Sequence, residues 1–220
     1  MAEDRQLLWR RTLDEASQEL ASVALREEQL TLSGTILANE DGVPLRVDYR
    51  VDCDRTWRTR EVVLAQTFRG AGARLLLQHD GDGVWRKDGR RLPALNGCSD
   101  IDLAITPSTN ALPINRLSLA IGARGTINAA WVLFPSLEVR RAEQTYERLD
   151  ASSYRYRDER SGFEAVLTVD DLGLPVDYAG IWRRIAAWPD PGPLSSVVPA
   201  PRPAGKGQNR IRRGPSGGPL

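Results

Sequence analysis

The stretch Leu45–Cys53 constrains this chain most. Leu45, Val47, Tyr49, Val51 and Cys53 alternate without fault with Arg46, Asp48, Arg50 and Asp52. A period of two sends every apolar side chain to one face and every charge to the other, which a helix cannot do. A strand with one dry and one wet face belongs to an antiparallel sheet packed on one side. Further strands are predicted at Leu20–Leu25, Gln29–Ala38, Trp57–Phe68, Ala73–His79, Gly83–Lys87, Ser99–Ile105, Thr126–Phe134, Thr145–Leu149, Tyr154–Arg157, Phe163–Val169 and Val176–Tyr178. Turn signals separate many of them: Glu40–Asp41–Gly42, Arg69–Gly70–Ala71–Gly72, Asp80–Gly81–Asp82–Gly83 and Ser161–Gly162. The fold class is therefore mainly β (α+β), a meandering antiparallel sheet or barrel of short strands.

One segment departs from the period of two. Pro113–Ile121 places Ile114, Leu117, Ala120 and Ile121 near one face, with Leu119 leaving little polar surface and Gly122 as a stop. A short helix apolar nearly all round requires burial. A curved sheet wrapped around this hydrophobic helix supplies it. A second short helix is predicted at Ile181–Trp188. Beyond it the composition changes: residues 189–220 hold eight Pro and six Gly with no apolar period. Such a segment buries too little to offset its ordering entropy, so it reads as a disordered tail. The expected organisation is a flexible 1–6, a single domain over 7–188 and the tail over 189–220.

Charge and cysteine usage exclude several classes. The chain of 220 residues has a formal net charge of +1, but the tail carries +4, which leaves −3 on the body. A mildly acidic body argues against nucleic acid as a partner. Cys53 and Cys98 show neither metal-ligand nor redox spacing, and His79 is the single histidine. No nucleophile motif, phosphate loop or dinucleotide fingerprint is present, so no metal, cofactor or catalytic residue is assigned. The opening MAEDRQLLWRRTL lacks the apolar run of a signal peptide, and no segment approaches the ~20 apolar residues of a membrane span. A cytoplasmic protein with free thiols and no transmembrane segment is expected.

The chemistry concentrates in Gly97–Leu117, GCSDIDLAITPSTNALPINRL. Asp100 and Asp102 share one strand face about 6.6 Å apart, at ~3.3 Å per residue. Three roles are open to them: general acid and base in a glycoside-type hydrolase, hydrogen bonding to sugar hydroxyls, or caps of the polar corner Thr106–Asn110. A buried carboxylate needs a partner, and Arg58, Arg60 and Arg116 are the candidates. Thr106, Thr109 and Asn110 suit ligand contacts or local Asx- and ST-type turns. Trp57 and Trp85 suit sugar stacking or the core, and Arg58 and Arg60 suit an anion or the solvated surface.

The order GC-x-D-x-DL-x-x-TP-x-TN-x-LP resembles the signature of the glycolipid-binding family, a bacterial domain of unknown function. LLWRR at Leu7–Arg11, YRVDCDRTWRTREV at Tyr49–Val62, DGVW at Asp82–Trp85, AAWVLFP at Ala129–Pro135 and VDDLGLPVDYAGIW at Val169–Trp182 follow the family's order. Asn115 stands where a second basic residue is expected in the LP-x-x-R turn, and DEASQEL departs from the family's Gly before Glu. The resemblance implies a half-open antiparallel β-barrel curved around a hydrophobic helix, similar to carriers of lipoproteins and lipids. It also implies an amphiphilic small molecule or glycolipid as ligand, bound without catalysis in a pocket between sheet and helix.

Overall fold

The computed structural model describes residues 3–14 and 16–189. Fifteen strands form one sheet: β1 Glu3–Arg11, β2 Gln18–Leu25, β3 Gln29–Glu40, β4 Val43–Asp54, β5 Thr59–Phe68, β6 Ala71–His79, β7 Trp85–Lys87, β8 Arg90–Arg91, β9 Asp100–Leu103, β10 Arg124–Val132, β11 Val139–Arg148, β12 Ser153–Asp158, β13 Glu164–Val169, β14 Pro175–Tyr178 and β15 Trp182–Trp188. Apart from Pro189, the predicted tail lies outside the described residues.

The sheet order is β8-β7-β6-β5-β4-β3-β2-β1-β15-β14-β13-β12-β11-β10-β9. Two runs of consecutive hairpins are therefore joined where the first strand pairs with the last. β4 pairs with β3 and β5 along almost its whole length, as its alternation demands. Its apolar residues Leu45, Val47, Tyr49, Val51 and Cys53 are all buried. The sheet is curved and open rather than closed into a barrel. The edges nevertheless meet through isolated contacts. Gly97 N donates to Gly83 O at 2.9 Å, Trp85 Nε1 to Cys98 O at 3.0 Å, and Ile101 N to Thr59 Oγ1 at 3.2 Å.

Three expectations change. The pairing of β9 with β10 is parallel, whereas every other pair is antiparallel. Parallel neighbours need a crossover of a dozen or more residues, usually through a helix; the predicted helix lies on that crossover. It spans Ala111–Leu117 (α1), not 113–121, and follows a 3-10 turn at Ser108–Asn110. Pro113 is the third helical residue, where the missing N–H has no intrahelical acceptor to lose. Ser118 ends the helix at φ 44°, and Ile121 is exposed. Ala111, Leu112 and Ile114 join a buried cluster with Trp9, Leu64, Ile101, Tyr146 and Leu167. Finally, Trp182–Trp188 is a strand, not a helix. WRRIAAW lacks strand alternation, and β1 and β14 supply its hydrogen bonds from either side. β1 itself begins at Glu3, four residues before the predicted domain start.

Candidate ligand-binding site

The polar corner forms around the crossover. Asp100 is fully buried on β9 and takes a two-point contact from Arg116 of α1: Nε to Oδ1 at 2.9 Å and Nη2 to Oδ2 at 2.7 Å. Ser99 Oγ donates to the same Oδ2. Of the three candidate arginines, Arg116 is the one that pairs with Asp100. The pair joins helix to sheet, and both carboxylate oxygens are engaged.

Asp102, two residues on, faces a cleft of about 580 Å³. Gln144 Nε2 of β11 donates to its Oδ2 at 2.5 Å, and the Thr109 hydroxyl also lies against it. Burial nevertheless dominates and pushes the Asp102 carboxyl up to about 6, with the Asp158 charge adding to the rise. Thr106 and Asn110 line the same cleft. Asn110 Oδ1 accepts from Tyr146 OH at 2.9 Å, and its amide donates to Pro107 O. Thr109 sits behind, accepting from Leu103 N. The 3-10 turn ahead of α1, rather than the helix itself, therefore forms this wall.

The opposite wall comes from the C-terminal hairpins. Trp131 stands beside Asp102 in the β9–β10 register. Tyr156, Phe163, Tyr178 and Trp182 add aromatic surface, and Ile181 an aliphatic patch. Tyr156 lies 5.4 Å from Tyr146 and 6.2 Å from both Phe163 and Tyr178, centroid to centroid. Asp158, Arg140, Arg160 and Ser161 complete the lining. None of these wall residues is legible in sequence as part of one site. They lie on separate hairpins, and each alone reads as a core aromatic or a surface charge. The AAWVLFP and VDYAGIW segments, which contain Trp131, Tyr178 and Trp182, were the available signal.

The remaining predicted residues lie elsewhere. Trp85 is fully buried, stacked on His79 at 4.7 Å. His79 Nδ1 contacts Thr59 O, and Nε2 accepts from Gly83 N. Arg60 holds Asp54 Oδ2 through Nε and Nη2 and Asp80 O through Nη1; Arg58 reaches Gly81 O. Trp57 occupies the intervening turn at φ 65°. These groups clasp the loops after β4 and β6, and none lines the cleft.

A second polar group was not predicted. Glu19 of β2 is fully buried, and its Oε1 accepts from Tyr49 OH at 2.5 Å and Thr106 Oγ1 at 2.8 Å. Ser108 Oγ bonds both Tyr49 and Thr106. Among the described residues no cation pairs with it, and burial raises the Glu19 carboxyl to about 7 against the lowering hydrogen bonds from Tyr49 and Thr106. Thr106 thus connects this core network to the cleft.

A crystal structure of a DUF1089 family protein from Pseudomonas aeruginosa is 41% identical, with TM-score 0.70, covering 77% of this chain and 92% of that one. No curated protein matches. The family model described as "putative glycolipid-binding" matches residues 6–184, and the chain belongs to that family.

Proposed function

We propose that the cleft beside Asp102 binds an amphiphilic ligand, a glycolipid or related lipid, without transforming it. The observation that carries this reading is the cleft's composition: Trp131, Tyr156, Phe163, Tyr178 and Trp182 around Asp102, Thr106 and Asn110. Aromatic faces cover the apolar face of a sugar or an acyl chain, while a few convergent polar groups fix a hydroxylated head. Family membership supports the same ligand class. The pairing of Asp100 with Arg116 favours a structural role for that carboxylate over acid–base work with Asp102. In this reading the ligand sits between the curved sheet and the segment leading into the helix.

Alkyl β-glucosides of increasing chain length, titrated below their micellar concentrations, test the reading. Trp131 and Trp182 line the cleft, so intrinsic fluorescence reports occupancy. Saturable binding is expected, tightening by about fourfold per buried methylene at ~0.8 kcal/mol each. Native mass spectrometry after incubation with a lipid extract should retain a bound lipid. A linear, non-saturating response to every chain length, with no lipid retained, overturns it.

A further inference from the structure

The charges inside the cleft specify the head group further. Asp102 has only neutral partners, the Gln144 amide and the Thr109 hydroxyl. Asp158 lies opposite Gln144 in the β11–β12 register and uses Oδ1 to accept from Ser161 N and Oγ. Among the described residues neither carboxylate forms an ion pair. Tyr156 and Tyr178, only 8% and 9% exposed, line the same cleft, and neither hydroxyl has a hydrogen-bond partner among the described residues. Both phenols are pushed up, first by burial and then by the Asp102 charge, which puts their hydroxyls in the field of that carboxylate. Two carboxylates, two unpartnered phenols and surrounding aromatic faces therefore converge, and among the described residues the cations of the lining are Arg140 and Arg160, both exposed.

Resting on the amphiphile reading above, we propose that the head group carries a cationic nitrogen, an ammonium or an amine-bearing sugar, seated beside Asp102, Tyr156 and Tyr178. An ammonium supplies the opposite charge Asp102 lacks and donates to the phenol oxygens. The faces of Trp131 and Trp182 attract it further through their ring quadrupoles. A neutral sugar satisfies the hydroxyls but leaves both carboxylates uncompensated, and an anionic head adds a third like charge. Two arginines line the cleft without changing this balance inside. Arg140 is exposed and held by Glu138 through two contacts of 2.6 Å, and Arg160 is exposed on the β12–β13 turn.

Four octyl probes below their micellar concentrations test the assignment by calorimetry on the full chain: octyl glucoside, octyl 2-amino-2-deoxyglucoside, octyltrimethylammonium and octyl sulfate. Both cationic probes are expected to bind about tenfold tighter than octyl glucoside, because a cation is attracted to the aromatic faces and to the carboxylate. Preference for the amino sugar over octyltrimethylammonium identifies a sugar as the carrier of the nitrogen; the reverse identifies a simple ammonium. In Asp102→Asn the cationic and neutral probes should fall within about twofold of each other, because the variant removes the opposite charge. A second measurement needs no variant. The charge of octyltrimethylammonium is fixed, so its affinity should fall between pH 7.5 and 5 as Asp102 protonates near its raised value of about 6. Asp158 and the phenols of Tyr146, Tyr156 and Tyr178 are the titrating groups that share its field. Asp100 is paired with Arg116. Equal binding of octyl glucoside and the cationic probes, or tighter binding of octyl sulfate, overturns the cation assignment and leaves the amphiphile reading intact. Binding of none overturns both.

Discussion

Glu19 shows how a single buried group makes stability depend on pH. Its folded value of about 7 lies above the ordinary 4.5, so the folded state keeps a proton that the unfolded chain releases between those values. The contribution is complete below pH 4.5 and is lost as pH rises through 7, by up to about 3 kcal/mol. Asp102, raised to about 6, acts in the same direction. Urea unfolding of wild type at pH 5 and pH 8 should therefore show lower stability at the higher pH. The Glu19→Gln variant should show a clearly shallower fall; an unchanged slope removes Glu19 as the cause. Little of this was legible in sequence. Glu19 sits in a polar stretch, SQEL, and only the fold brings Tyr49, Thr106 and Ser108 onto it. Asp102 was legible because its strand, its partner carboxylate and the corner that follows are contiguous.

At the scale of elements, β3 and β4 show how packing fixes a strand pair. Gly34 lies directly opposite Tyr49 in the register, and a Cβ there would stand 2.8–2.9 Å from the end of the Tyr49 ring. That ring cannot swing away freely, because its hydroxyl is held by Glu19 and Ser108. Gly34→Ala should cost roughly 1–3 kcal/mol as an overpacking change, read as a lower denaturation midpoint. A neutral result means that the ring relaxes and the Glu19 network is soft. The alternation of β4 made its neighbourhood readable from sequence, because one face is wet along its whole length. β1 and β15 were not readable. They pair with each other across most of the chain, so the sequence near each one carries no sign of its partner. The helix was read from its apolar run, but Ser118 and the preceding 3-10 turn set its ends.

For the whole molecule, the seam between β1 and β15 decides whether two hairpin runs behave as one body. Hydrogen bonds alone do not close it. Trp9 of β1 is fully buried and donates through Nε1 to Pro175 O at 2.7 Å. Asp170, its side chain 2% exposed, accepts at Oδ2 from Arg5 of β1 and Arg184 of β15, while Oδ1 holds the Leu172 and Leu174 amides of the β13–β14 turn. One carboxylate thus ties the first strand, the last strand and the turn between β13 and β14. Asp170→Asn preserves an acceptor for the turn but leaves two guanidiniums, each 6% exposed, without this charge. Loss of one member of a buried ion cluster costs roughly 3–5 kcal/mol. Because the seam is central to the sheet, the loss should fall on both runs together. The variant should unfold at a lower urea concentration in a single transition, coincident by tryptophan fluorescence and far-ultraviolet circular dichroism. Two separated transitions would instead mean that the hairpin runs on either side of the seam are independently stable, and that the first and last strands join bodies that fold apart.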